Sequence, residues 1–262
     1  MSIGTVADPP WADSEEREGG ADNDVQTGAR RRGPLLLVRT VLVLAVALGL
    51  ALRLWDLFHF PLNADEASVG LAAQSIAHGH FIAFFPGQFY GGAEPYVTAV
   101  FVGIFGPSAR AVKLAPAVLS VVAALLTWRV VLRLVADRQV AALAGALMWV
   151  APLAVIWNST VERGFRGVTM ACGLACLLFA LRCLDGRHGY ADLAALGLFL
   201  GIGWWSSPEI AYFVVPTGLV LIGAVAVSPA GRRIVTWVPR LAVGLAGVAV
   251  GALPWLWVNI PG

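Results

Sequence analysis

The sequence predicts an all-α, polytopic transmembrane protein with about seven spans and with interfacial or re-entrant helices on the outer face of the membrane. Two observations lead to this fold class. Hydrophobic residues make up 58% of the chain and charged residues only 13%, and the mean hydropathy is +0.77, whereas an average soluble domain carries about 25% charged residues. The apolar residues are also gathered into long runs, and a helix needs about 20 such residues to cross a bilayer.

The amino-terminal segment differs from the rest in composition. Residues 1–33 are rich in Asp, Glu, Gly, Pro and Arg and carry few large apolar side chains, so they cannot bury enough surface to fold. We therefore predict a disordered cytoplasmic tail over 1–33 and a transmembrane domain over 34–262. The apolar run that follows has no small-residue cleavage site, and we interpret it as a retained first helix rather than a signal peptide.

Further apolar runs come close to the length of a membrane span. They are residues 114–135, 139–157, 167–184, 189–205, 210–227 and 240–258. Residues 93–106 are apolar over only about ten positions, which is typical of a re-entrant or interfacial helix. If this segment does not cross, most arginines fall on the cytoplasmic side, as the positive-inside rule requires. We therefore predict a multi-pass protein of the plasma (inner) membrane, with its amino terminus cytoplasmic and a long outer loop over 56–113.

The first half of this outer loop contains a helix signal. Asn63 followed three residues later by Glu66 is the pattern of an N-cap with a reciprocal capping partner. The apolar residues beyond it recur at helical spacing and predict an amphipathic helix over 64–79 that lies on the membrane surface. These residues are Val69, Ala72, Ala73 and Ile76.

Asp65 lies in the first turn of this predicted helix and is the candidate catalytic residue. The helix dipole keeps a carboxylate ionised there, as a general base requires. The alternative is structural, because an acid in the first turn stabilises a helix in any case.

Other charged residues of the outer face are candidates for binding a substrate or a lipid phosphate. Arginine suits phosphate because its guanidinium donates two parallel hydrogen bonds. The alternative is that the cations only anchor helix ends by snorkelling to the membrane surface. The candidates are Glu66, Glu94, Arg110, Lys113, Arg163 and Arg166. No metal-ligand spacing occurs in the sequence, so no metal ligand is predicted.

Several segments resemble the GT-C superfamily of integral-membrane glycosyltransferases, in particular the protein O-mannosyltransferase and aminoarabinose transferase type. The resemblance is closest over about residues 40–135. It rests on Arg53-Leu54 at the end of the first helix and on three later segments, PLNADEASVG, GQFYGGAEPY and IFGPSARAVKLAPAVLSVVAALLTWRVVLRL.

The resemblance implies an inverting enzyme that takes a sugar from a polyprenyl-phosphate-linked donor. The acceptor would be a hydroxyl of a glycan, lipid or protein on the outer face, and the partners would be membrane lipids rather than nucleic acid. The position of the family's catalytic acid matches Asp65, and a divalent-metal requirement is left open. Family members have more spans than this chain, so it is expected to be the amino-terminal portion of a longer enzyme.

A different class of function is a transporter or flippase of lipid-linked intermediates, or an inactive binding subunit. Transporters tend to carry ionisable residues at mid-membrane and inverted repeats. Here the middles of the predicted spans hold no acid and no lysine, and no internal repeat is visible. The sequence therefore favours the enzyme.

Overall fold

The structure is a computed structural model that describes residues 12–85, 91–150, 159–184, 189–227 and 238–260. These residues form helices and no strand, apart from an isolated bridge between Phe84 and Gly91. The helices are α1 (Ala12–His59), α2 (Ala64–Ala77), α3 (Ala93–Phe105), α4 (Ala109–Val135), α5 (Arg138–Val150), α6 (Arg166–Leu184), α7 (Tyr190–Ser206), the 3₁₀ turn Pro208–Ile210, α8 (Ala211–Val227), α9 (Val238–Gly251) and α10 (Leu253–Asn259). The predicted all-α class is confirmed.

The chain separates into two units, Met1–Leu44 and Ala45–Gly262. The described residues of the first unit belong to α1, which begins at Ala12, within the segment predicted to be disordered. The division into a cytoplasmic tail and a transmembrane domain stays a prediction. All the contacts of the candidate site lie within the second unit.

Three helices in the described part of the chain are long and apolar enough to cross a membrane. They are Leu36–His59, Ala109–Val135 and Arg166–Leu184. The predicted spans at α7 and α8 form helices of 17 residues each, and the predicted span 139–157 extends from α5 into residues outside the described ranges. The structure thus supports a multi-pass membrane protein, while the count of seven spans and their orientation stay predictions.

The last predicted span is not one straight helix. Its residues form α9 and α10, which are bent by 72° relative to each other and give a fourth candidate span only if they are counted together. Pro254 lies in the first turn of α10, and a proline there has no N–H to continue the hydrogen-bond ladder of the preceding helix. The break therefore has a local cause that the hydropathy pattern does not reveal.

Close backbone packing joins α7 to α9. A Cβ atom added at Gly197 or Gly201 would overlap backbone atoms of α9, at Gly244 and Val248 respectively. Small residues at such positions let two membrane helices approach closely and gain van der Waals contact.

The apolar residues predicted to share one face of α2 do so, but other parts of the protein cover this face, which was predicted to lie on the membrane. Val69, Ala72 and Ala73 are buried, and Ala73 packs in one cluster with residues of α3 and α4, with Ile76 against it. The short predicted helix 93–106 is also confirmed as α3, Ala93–Phe105, which ends before Gly106 at a φ of 79°. Side chains of α2 and α3 thus pack against the first turn of α4.

Candidate functional site

The amino terminus of α2 has the predicted capping box. The Asn63 side chain accepts a hydrogen bond from the Glu66 backbone N–H at 2.9 Å, and the Asn63 backbone N–H donates to Glu66 Oε2 at 2.8 Å. Two otherwise unpaired helix donors are satisfied in this way. The helix ends at Ala77, two residues before the predicted end, because the chain turns at Gly79, whose φ is +90°.

Replacing Asn63 by Ala removes the side-chain half of this box. We expect the free energy of unfolding to fall by about 0.5–2 kcal/mol, the usual contribution of an N-cap. Thermal unfolding of the detergent-solubilised protein measures the change. Asn63→Asp, whose carboxylate still accepts the Glu66 N–H, is the matched control and should be close to wild type; equal losses in both variants would contradict the role of the cap.

The two acids that follow the cap have different environments. Glu66 is buried, with 1% of its surface exposed. Asp65 is exposed and has no hydrogen-bond or ion-pair partner among the described residues. The capping box fixes the backbone at both residues, so Asp65 is held in place with its carboxylate exposed.

Glu66 belongs to a buried ion cluster between three helices. Lys113 Nζ of α4 donates to Asp56 Oδ2 of α1 at 3.0 Å. It also lies 3.4 Å from Glu66 Oε1, an ionic contact without hydrogen-bond geometry. Only 2% of Lys113 is exposed, so the interpretation of Lys113 as a snorkelling anchor is wrong: two carboxylates hold it inside. Asp56 was not predicted as a site residue, although its position, an acid at the end of an apolar helix, could have indicated it.

Arg53 fixes the end of α1 from the other side. Its Nη1 donates to Gly49 O at 3.0 Å and its Nε donates to Ser120 Oγ of α4 at 3.1 Å. The guanidinium also stacks 3.5 Å from the ring centre of Trp149 on α5, a cation–π contact that is strengthened by burial. These contacts fix the end of α1, from which the chain continues to Asp65.

A second buried cluster contains two acids. Glu94, in the first turn of α3, and Glu162, in the segment before α6, are neighbours and are 1% and 0% exposed. Glu94 Oε2 accepts the Val168 N–H at 3.0 Å, and Glu162 Oε1 accepts the Gly164 N–H at 2.8 Å. Thr98 Oγ1 lies 3.2 Å from Glu162 Oε2.

Burial raises the pKa of both carboxyl groups, and the charge of Glu94 raises the pKa of Glu162 further. Two buried carboxylates in contact repel each other, so the raised pKa values favour one shared proton. The carboxyl oxygens accept hydrogen bonds from the backbone N–H groups of Val168 and Gly164, which stabilise the remaining negative charge.

The candidate arginines lie nearer the surface. Arg163 is half-buried, and its Nε is buried with no hydrogen-bond partner among the described residues. Arg166 is exposed at the start of α6 and borders a cavity of about 210 Å³ that Glu209 and Tyr212 also line. Arg110 is exposed, with its guanidinium 4.7 Å from the ring centre of Phe58.

The structure thus brings only some of the predicted site residues together. Glu66 and Lys113 meet each other, and Glu94 meets Glu162 rather than a cation. The contacts of Glu66, Glu94 and Lys113 are internal and do not favour contact with a phosphate, so their binding role stays a prediction. Within the described ranges, no hydrogen bond or ion pair joins Asp65 to an arginine, and no group of three or more His, Cys, Asp or Glu residues could hold a metal ion.

A second set of contacts holds the start of α3 against α7. The Gly91 N–H donates to Ser206 O at 3.0 Å, and Trp205 Nε1 donates to Ala83 O at 2.7 Å. A Cβ at Gly91 would overlap the Trp205 backbone, so only glycine allows this approach. Gly91 belongs to the motif GQFYGG, whose first four residues, 87–90, lie outside the described residues.

The family to which the chain belongs follows from a sequence match over more than half of its length. Residues 93–257, from α3 to α10, match the family described as dolichyl-phosphate-mannose-protein mannosyltransferase. Neither a curated protein nor a solved structure matches the chain. The chain therefore belongs to the dolichyl-phosphate-mannose-protein mannosyltransferase family and is a membrane glycosyltransferase of the GT-C type.

Proposed function

We propose that the protein transfers a sugar from a polyprenyl-phosphate-linked donor to an acceptor hydroxyl on the outer face of the plasma membrane, with inversion at the anomeric carbon. The Asp65 carboxylate accepts the proton of the acceptor hydroxyl. The acceptor oxygen then bonds to the anomeric carbon from one side, while the bond to the phosphate oxygen breaks on the other. Polyprenyl phosphate leaves with the electron pair.

The observation that carries this proposal is the different placement of the two neighbouring acids. Glu66 is buried in the capping box and the Lys113 cluster, whereas Asp65 is exposed and has no partner in the described structure. The exposed carboxylate of Asp65 is therefore the one of the two that an acceptor hydroxyl can reach. The family match begins after Asp65, at residue 93, so the role of Asp65 rests on this geometry and on the resemblance of PLNADEASVG.

The leaving phosphate requires positive charge at the point where its negative charge develops. Arg163 suits this role because its Nε is buried without a hydrogen-bond partner in the described part of the chain, and an unsatisfied buried donor is costly unless a ligand satisfies it. Arg166 follows at the start of α6, and Arg110 is exposed at the start of α4. We assign the phosphate to these three arginines, with Arg163 as its principal ligand.

Replacing Arg163 by Gln should weaken the binding of polyprenyl phosphate by about tenfold or more, because a hydrogen bond to a charged group contributes about 1.5–3 kcal/mol. Binding to the protein in lipid nanodiscs measures this directly. Arg129→Gln is the control, since it is the same change at an exposed arginine that lies beside Trp128 on α4, outside the proposed phosphate site. Equal affinities of the two variants would remove Arg163 from the site.

A further inference from the structure

We propose that Glu94 and Glu162 are positioning residues that hold Arg163 and Arg166 in the arrangement that binds the donor phosphate. The inference rests on the proposed function, because it concerns the phosphate site named there. Neither acid touches the phosphate in this account. Their carboxyl groups act on the backbone from which the two arginines project.

Glu162 shapes the backbone around Arg163. Its Oε1 accepts the N–H of Gly164 at 2.8 Å, which closes a tight turn with Arg163 at its centre. Gly164 has a φ of +81°, a conformation that side chains with a Cβ rarely adopt. The other carboxyl oxygen of Glu162 lies 3.2 Å from Thr98 Oγ1. This hydrogen bond connects the turn to α3.

Glu94 holds the backbone beyond Arg166. Its carboxyl group accepts the N–H of Val168 at 3.0 Å and that of Gly167. These are backbone donors of the first turn of α6, where a helix ordinarily attracts an anion. Glu94 occupies that position, so an incoming phosphate is left to the arginine side chains.

The two acids are buried side by side, and Thr98 of α3 contacts both of them: its Oγ1 lies 3.3 Å from Glu94 O and 3.2 Å from Glu162 Oε2. A proton shared between the two carboxyl groups lets them stay together, because two buried carboxylates would repel each other. Other charged or titratable groups on the surrounding elements are Arg163 in the turn, Arg166 on α6, Tyr96 on α3, Lys113 on α4 and Glu209 in the 3₁₀ turn. Lys113 forms ion pairs with Asp56 and Glu66, and Arg166 and Glu209 are exposed. We therefore attribute a change in the contact between Glu94 and Glu162 to the proton that they share.

The pair has a defined pH dependence. Because burial and the neighbouring charge of Glu94 raise the pKa of Glu162, the proton is held on the acidic side and is lost as the pH rises through the raised pKa. Loss of the proton places two negative charges in contact, and the turn around Arg163 should then open. Phosphate binding should therefore weaken on the alkaline side.

The test measures polyprenyl-phosphate binding across pH for the full chain in nanodiscs. Glu162→Gln keeps the shape of the side chain, accepts the Gly164 N–H and cannot ionise, so it should bind like wild type at neutral pH and lose the alkaline decline. Glu162→Ala should bind about tenfold more weakly at all pH values, as Arg163→Gln does, because it misplaces the same guanidinium group. Asp137→Asn, an exposed acid that caps α5, is the control and should follow wild type.

Infrared spectroscopy gives a readout that does not depend on binding. Wild type should show the C=O stretch of a buried protonated carboxyl group at neutral pH, and Glu162→Gln should lack it. Wild-type affinity of Glu162→Ala, an alkaline decline that persists in Glu162→Gln, or absence of the infrared band would each overturn the inference. If wild type itself bound no polyprenyl phosphate, the proposed function would fail first, and the two failures are thereby distinguished.

Discussion

Asp65→Asn is expected to lower the rate of sugar transfer by about a hundredfold or more, the usual contribution of a general base. Asparagine has nearly the same shape and still accepts hydrogen bonds, but it cannot take a proton from the acceptor hydroxyl. Since Asp65 is exposed and makes no contact among the described residues, the variant should fold normally. The loss should appear in kcat at saturating donor, and donor binding should be unchanged.

The control for this comparison is Asp137→Asn, the same change at another exposed acid. Both variants should show the thermal stability of wild type, and only Asp65→Asn should lose activity. Full activity of Asp65→Asn would assign Asp65 to the helix terminus, where an acid needs only to be negative to interact with the dipole. A loss of stability parallel to the loss of rate would also argue for that structural role.

Lys113→Met is expected to destabilise the protein by about 3–5 kcal/mol. Methionine fills much of the same volume, but it leaves the carboxylates of Asp56 and Glu66 without the cation that both of them contact. An uncompensated buried charge is costly, and breaking a buried ion pair from one side typically causes a loss of this size. Unfolding of the purified protein in detergent measures the change.

The double variant Lys113→Met with Asp56→Asn should recover part of this loss, because it removes one of the stranded charges. Arg129→Met, an exposed cation of the same helix, should change the free energy of unfolding by less than about 1 kcal/mol, as exposed charges usually do. If Lys113→Met and Arg129→Met had the same small effect, Lys113 would be a surface residue after all.

Local features of the fold could be predicted from the sequence. The Asn63–Glu66 capping box and the buried face of α2 follow from spacing within one helix, where residues three and four positions apart share a face. The short helix α3 could be recognised from the length of its apolar run. The bend before α10 could have been expected at Pro254, but the hydropathy of the run 240–258 gave no sign of it.

The long-range contacts of the site could not be predicted in this way. The partner of Lys113 is Asp56 on another helix, and the partner of Glu94 is Glu162 in a distant connecting segment. In a membrane protein most helix surfaces are apolar, so hydropathy gives little information on which faces pack together. These residues were predicted as candidate ligands because the sequence does not distinguish a charged residue that is buried in an ion pair from one that binds a substrate.

The proposed donor is a polyprenyl-phosphate-linked sugar, and its bond to phosphate is proposed to break at this site. The most direct measurement supplies such a donor, labelled in the sugar, to the full chain in proteoliposomes together with a hydroxyl acceptor, and follows both products. We expect labelled acceptor with inverted anomeric configuration and free polyprenyl phosphate to appear in equal amounts. Movement of the intact donor across the bilayer with its sugar still attached, or transfer only from a nucleotide sugar, would contradict the proposal.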